Sequence, residues 1–158
     1  MSVVKDVAEM GRYLLILGCS KRKKKLLVTP IPALERYDGP AFRVIRKWQK
    51  VSNEDHCLDI KVISAKYGLL DIKDNIPYYD QQMTVARAAE LKQSVAEKLL
   101  GLLRKNNYSC VYCDVGSVYL KALPDELIES NELIEFAKGR IGERLSNLKR
   151  RLLSLPGH

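Results

Sequence analysis

The chain has 158 residues, of which 46% are hydrophobic, and this size suits one globular domain with a single core. Its longest apolar runs are far shorter than the roughly 20 residues of a membrane-spanning helix, and acidic residues stand where a signal peptide would have its apolar core. We therefore expect a cytoplasmic protein without membrane contact. It would fold as one domain over residues 12–158, after an N-terminal segment, 1–11, that is open to fraying.

The net charge of +8 is concentrated in two blocks. Residues 21–25 carry five consecutive positive charges, and residues 138–151 carry a net charge of +5, so the rest of the chain is slightly negative. A basic surface of this kind favours an acidic partner such as nucleic acid, although a solvated basic face is the commoner reason for such a total.

Short apolar segments rich in β-branched or aromatic residues alternate with helical patterns along the chain. Strands are predicted at residues 13–17, 58–63 and 108–113. Pro40 can begin a helix that reaches Val51, and Thr84 can cap a helix that reaches about Arg104. A last helix is predicted from the apolar residues that recur at three-and-four spacing from Ile141 to Leu155. This order predicts an α/β fold, a three-layer domain with a largely parallel central sheet flanked by helices.

Four cysteines are too few for a disulfide scaffold at this length and suit a reducing compartment. Cys110 and Cys113 have the spacing of a redox or zinc half-motif, but in a strand residues three apart face opposite sides. The chain has no second such pair and only two histidines. We expect no metal site and no cofactor.

Open parallel sheets bind ligands beyond the carboxyl ends of their strands, and small or polar residues follow all three predicted strands. Small residues let backbone amides approach a ligand, and the hydroxyl, amine and carboxylate groups beside them can bond to it. A pocket is therefore predicted there, with these ligand-binding candidates: Ser20, Lys21, Ser64, Lys66, Tyr67, Gly68 and Tyr78.

Two of the residues after the strands are candidates for catalysis. Asp114 could act as a general base or bind a ribose, although a role in capping the next helix is equally economical. Cys19 could be a nucleophile beside its lysine neighbours, although an inert thiol is commoner.

The basic blocks provide candidates for nucleic-acid binding. Arg140, Arg144, Asn147 and Arg151 recur at helical spacing, so they would line one flank of the last helix, where they could follow a phosphate backbone or simply be solvated. The candidates for phosphate contacts are Lys23, Lys24, Lys25, Arg140, Arg144 and Arg151.

The stretches Ser64-Ala-Lys-Tyr-Gly-Leu-Leu70 and Ile76-Pro-Tyr-Tyr-Asp-Gln-Gln-Met83 resemble the YaaA family of bacterial peroxide-stress proteins. Leu17-Gly-Cys-Ser-Lys21 and Ala137-Lys-Gly139 stand where that family has a short turn after a strand and an Ala-Arg-Gly segment. The chain also resembles a group of small uncharacterised domains that share the Cys-Ser-Lys-Arg-Lys turn and Ser-Ala-Lys-Tyr-Gly-Leu. The resemblance implies an α/β fold, association with DNA, and a role in oxidative stress or DNA repair.

Three functions remain open on the sequence. The first is a nucleic-acid-associated protein, with DNA as the partner, whose basic blocks approach a pocket at the strand ends. The second is a small enzyme on nucleosides or nucleotides, a glycosidic-bond hydrolase or transferase that uses Asp114 or Asp80 as acid or base. The third is an interaction domain in which the residues after the strands only build turns.

Overall fold

The computed structural model describes residues 11–25, 29–52, 57–130 and 132–155. The expectation of a frayed N-terminus falls, apart from Gly11, outside the described residues. The described residues form seven strands: β1 (Arg12–Gly18), β2 (Ile31–Pro32), β3 (Leu58–Ser64), β4 (Gly68–Asp71), β5 (Asn75–Ile76), β6 (Tyr108–Asp114) and β7 (Ile134–Phe136). The three strands predicted from the sequence are confirmed as β1, β3 and β6.

The central sheet has the strand order β4-β3-β1-β6-β7. Strand β1 lies in the middle and pairs in parallel with β3 and β6, and β7 extends the parallel set beyond β6. Strand β4 is antiparallel to β3 and forms the other edge. Strands β2 and β5 form a separate antiparallel pair. The α/β fold with a largely parallel sheet is therefore confirmed.

Six helices are described: α1 (Ala33–Arg36), α2 (Pro40–Val51), α3 (Val85–Lys105), α4 (Ser117–Leu120), α5 (Asp125–Ser130) and α6 (Ile141–Leu153). Helix α2 begins at Pro40, where the missing N–H costs no intrahelical bond. The Thr84 hydroxyl accepts a hydrogen bond from the backbone N–H of Arg87 and caps α3, as predicted. Among the described residues, no helix has the length and apolar character needed to cross a bilayer.

Helices cover both faces of the sheet, so the structure has three layers. Leu15 and Leu17 of β1 face α2 and α6, whereas Leu14 and Ile16 face α3 and α5. All four side chains are buried, which explains why this strand is apolar throughout rather than alternating. The stripe predicted on the last helix contributes Leu148 and Leu152 to the core, but Ile141 is largely exposed.

The chain leaves the central strand β1 and its neighbour β6 toward opposite faces of the sheet. After β1 it reaches α2 on one face, and after β6 it reaches α4 and α5 on the other. Such a divergence opens a crevice between the carboxyl ends of the two strands, which is where ligands bind in open α/β sheets.

Candidate functional site

A cleft of about 330 Å³ lies at the carboxyl ends of β1 and β6. Four segments line it: residues 17–22 after β1, residues 39–42 at the start of α2, residues 114–119 after β6, and the first turn of α6. Its position is the crevice that the diverging connections open. Of the residues predicted for ligand binding or catalysis, the cleft brings together Cys19, Ser20, Lys21 and Asp114.

Cys19 and Tyr119 form one wall of the cleft. The Tyr119 hydroxyl donates a hydrogen bond to the backbone oxygen of Cys19 at 2.9 Å and lies 3.1 Å from its Sγ. The backbone N–H of Ala65 points at the same sulfur, 3.4 Å away. Burial raises the pKa of Tyr119, so its hydroxyl keeps the proton that it donates. Any Cβ at Gly18 would lie 3.1 Å from the Tyr119 ring, which explains the glycine.

Asp114 forms the floor of the cleft and is bound by an arginine of α6. Arg144 donates to Asp114 Oδ1 from Nε at 2.8 Å and from Nη2 at 2.5 Å. The Asp114 side chain is only 5% exposed. Among the described residues its other oxygen, Oδ2, accepts no hydrogen bond. Asp114 can therefore accept a bond from a ligand hydroxyl or amine without giving up Arg144.

This ion pair changes the role expected for Arg144. The sequence pattern placed it in a solvent-facing row of phosphate-binding residues, but its guanidinium turns inward and neutralises Asp114. The two residues are 30 positions apart, and only the fold brings them together. Arg144 therefore acts first as the partner of Asp114.

Two helix N-termini point into the cleft. Helix α2 follows Gly39 and helix α6 follows Arg140, and neither of these residues provides a side-chain cap. The first N–H groups of a helix have no intrahelical acceptor, and they lie at the positive end of the helix dipole. Lys21 and Arg22 add two cations at the same cleft. The cleft is therefore suited to an anionic group.

The basic segment 21–25 is held in a fixed conformation rather than left as a solvated run. The Arg36 guanidinium is fully buried and donates to three backbone oxygens, those of Lys24 at 2.8 Å, Thr29 at 3.0 Å and Ile76 at 3.2 Å. The backbone N–H of Lys24 in turn donates to the Arg36 oxygen at 2.9 Å. Arg36 was not among the predicted residues, since one arginine in a helical pattern gives no sign that it is buried.

The lysines after Arg22 are directed toward aromatic rings and an acid. The ammonium group of Lys23 lies 4.5 Å from the centre of the Tyr79 ring, and that of Lys25 lies 5.5 Å from the Tyr78 ring. Burial lowers the pKa of Lys23. Lys24 forms an ion pair of 3.6 Å with Glu35. Lys24 and Lys25 remain exposed, so the segment still presents positive charge to solvent.

The exit of β3 forms a closed turn outside the cleft. Ser64 has no exposed surface, and its hydroxyl accepts hydrogen bonds from the N–H groups of Lys66 and Tyr67. It also shares a hydrogen bond of 3.0 Å with the Tyr79 hydroxyl. Gly68 has a φ of +76° and packs beside α3. Contrary to the predicted ligand-binding role, the structure gives Ser64 and Gly68 internal roles that shape the turn.

Three other predicted residues lie around this turn, and none of them lines the cleft. Lys66 is exposed, with its ammonium group 5.4 Å from the centre of the Tyr67 ring. Tyr67 packs edge-on against Tyr79 with ring centres 5.6 Å apart. Tyr78 is half-buried beside Lys25, and the alternative acid Asp80 is exposed.

The arginine row on α6 is divided among different surroundings. Arg140 is exposed at the N-cap. Arg151 forms an ion pair with Glu135 and stacks on the Tyr112 ring, 4.0 Å from its centre. The row is therefore not the free basic face that its spacing suggested, because two of its three arginines have partners within the protein.

Within the described ranges, no cluster of three or more His, Cys, Asp or Glu side chains is placed to hold a metal ion. Neither a curated protein nor a solved structure gives a significant match to this chain. A family model does match, over residues 14–150, and these residues include both strands of the crevice and most of α6. The chain therefore belongs to the family of unknown function DUF6884.

Proposed function

We propose that this protein binds a nucleotide, with the phosphate held in the cleft between β1 and β6. The observation that carries the proposal is the convergence of two uncapped helix N-termini with Lys21 and Arg22 on one crevice of a parallel sheet. Each of these features favours negative charge, and together they surround one small volume.

The remaining groups of the cleft favour a nucleotide over a bare anion. Its volume of about 330 Å³ falls within the range of about 300–1,000 Å³ that small-molecule pockets occupy. Asp114 Oδ2 can accept a hydrogen bond from a sugar hydroxyl or a base amine. Tyr119 adds an aromatic surface beside the glycine turn. Phosphate, sugar and base would then each have a partner of suitable chemistry.

A nucleotide within a nucleic acid would meet the same cleft and the basic segment beside it. Residues 21–25 run from the rim of the cleft, and the exposed lysines among them would contact neighbouring phosphates. The buried Arg36 anchor favours this second candidate, because it fixes the segment where a mobile run would lose conformational entropy on binding. Association with DNA is also what the resemblance to the YaaA family implies.

An enzymatic role remains the alternative. Glycosidases generally use two carboxylates, one on each side of the scissile bond. Among the described residues, Asp114 is the one carboxylate that lines the cleft, and Asp80 lies elsewhere on the surface. The geometry therefore supports binding more directly than hydrolysis. A transferase that uses Asp114 or Cys19 as its single reactive group would fit the same pocket.

The proposal is tested by calorimetric titration with deoxynucleoside monophosphates, the matching nucleosides and inorganic phosphate. We expect the monophosphates to bind, and we expect Lys21→Ala to weaken them about tenfold, because a charge-assisted bond to phosphate is lost. Lys98→Ala, on the exposed side of α3, is the matched control and should leave the affinity unchanged.

Two outcomes would count against this site. Equal binding of nucleosides and monophosphates would show that phosphate is not the recognised group. Equal loss of affinity in the Lys21 and Lys98 variants would show a diffuse charge effect. Titration with a DNA oligonucleotide at several salt concentrations tests the second candidate, and a Lys24→Ala/Lys25→Ala variant should reduce its salt dependence.

A further inference from the structure

A second concave surface lies between α2 and α6, away from the nucleotide cleft. The N-termini of both helices line the cleft, and their C-terminal halves line this groove, so the helices run in parallel. Phe42 faces the cleft and Trp48 faces the groove, six residues or about 9 Å further along α2. The groove has a volume of about 370 Å³.

The floor and rim of the groove are apolar. Val44, Trp48 and Leu152 form the floor. Val51 and Leu153 stand on the rim, 72% and 55% exposed. Covering this surface would be favourable by about 25 cal/mol for each Å² of apolar area removed from water. The groove therefore offers hydrophobic anchoring sites to a partner.

The charged residues around the groove are all cationic. Arg43, Lys47 and Lys149 line it, and no acidic residue does so among the described residues. Arg43 is partly neutralised by Asp38 at 3.0 Å. Lys47 and Lys149 are exposed and form no ion pair with any described residue. The electrostatic field at the rim therefore attracts an acidic partner.

This charge pattern distinguishes between possible occupants. A second copy of the chain docked through the same face would bring like charges together, which is unfavourable. A groove between two helices accepts a third helix whose apolar residues recur at positions i, i+3 or i+4, and i+7. Acidic residues on the flanks of that helix would meet Lys47 and Lys149. We propose that the groove between α2 and α6 is a docking site for an acidic amphipathic helix of a partner protein.

The proposal can be tested with a fluorescein-labelled synthetic peptide of about five turns, with leucines on one helical face and glutamates on the others. Its anisotropy is followed as the full-length protein is added at low salt. We expect saturable binding that Lys47→Glu/Lys149→Glu weakens at least about tenfold through two reversed charges. The matched control, Lys98→Glu/Lys105→Glu on α3, carries the same charge change on the opposite layer and should bind like the wild type.

A second peptide, with the same composition but with leucines and glutamates scrambled, should bind at least about tenfold more weakly if the apolar stripe matters. Several results would overturn the proposal. These are no binding of the amphipathic peptide, equal binding of both peptides, or equal weakening by the groove and control variants. Self-association in sedimentation that Val51→Asp abolishes would assign the groove to a second copy. Binding to phosphatidylserine vesicles lost in the groove variant, without peptide binding, would assign it to a membrane surface.

Discussion

The exits of β1 and β3 have similar compositions but different structures. Both come directly after a buried parallel strand, and both contain a small residue, a hydroxyl and a lysine within five positions. The exit of β1 opens into the cleft, whereas the exit of β3 closes into a turn whose hydroxyl is consumed by its own backbone. The difference lies in the next element of the chain, since β3 continues into the antiparallel strand β4 and β1 continues toward a helix. Composition identifies a strand exit, and the connection decides whether it is open to a ligand.

The largest expected effect concerns the buried charge pair at the open exit. Arg144→Ala leaves the Asp114 carboxylate buried without its partner, and such a loss costs about 3 kcal/mol of the free energy of unfolding. Urea denaturation measures it. Replacing both groups, in Asp114→Asn/Arg144→Met, should recover most of the stability, because no buried charge is left unpaired.

Arg140→Ala provides the control for this pair, since Arg140 is exposed at the start of the same helix. Its stability should change by less than about 0.5 kcal/mol. A loss as small as this in Arg144→Ala would mean that the ion pair does not hold the cleft together.

A smaller effect is expected at the closed exit. Ser64→Ala removes the acceptor of two backbone N–H groups and a partner of the Tyr79 hydroxyl. Leaving buried donors unsatisfied costs about 1–3 kcal/mol of the free energy of unfolding. Nucleotide affinity should not change, because Ser64 lies outside the cleft. Weaker nucleotide binding at unchanged stability would reverse the assignment and return Ser64 to the ligand site.

The smallest effect is a dependence of stability on acid at the start of α2. Hydrogen bonds from Arg43, and then from Arg46, hold the pKa of Asp38 at about 2, against the opposing effect of its partial burial. Because this pKa is lower in the folded state, the contribution to stability is present above the unfolded value near 3.8. It is lost as the pH falls toward 2.

Urea denaturation between pH 5 and pH 2, a range of about three units around the unfolded Asp value, measures this contribution. Asp38→Asn should flatten the decline relative to the wild type. Asp80→Asn, at an exposed position, is the control and should retain it. A decline that is the same in the wild type and in Asp38→Asn would show that other carboxylates cause it.

Much of the fold could be predicted because its main elements have strong local patterns. The apolar strands and the helix starts at Pro40 and Thr84 depend on residues that are neighbours in the sequence. Strand β7 has three residues and β4 has four, too few for an alternating pattern to stand out. For this reason the sequence pattern indicated a ligand-binding loop where the structure has the edge strand β4.

The site was predicted only in part, because its key contacts join distant positions. The exits of β1 and β6 were identified from their small and polar residues, and the fold brings them to one cleft. The pairing of Arg144 with Asp114 and the burial of Arg36 depend on tertiary packing. Helical spacing indicated the flank on which Arg144 lies, but it carries no information about the partner across that flank.

The most direct test of the nucleotide cleft is an ¹⁵N–¹H NMR titration of the labelled protein with a deoxynucleoside monophosphate. The account predicts that the largest amide shifts occur at Ala41 and Phe42 in the first turn of α2, at Gly142 in the first turn of α6, and at Ser20. Amides of the turn around Lys66 and Tyr67 should move little. Shifts concentrated at that turn, or no shifts at the two helix N-termini under saturating ligand, would contradict the account.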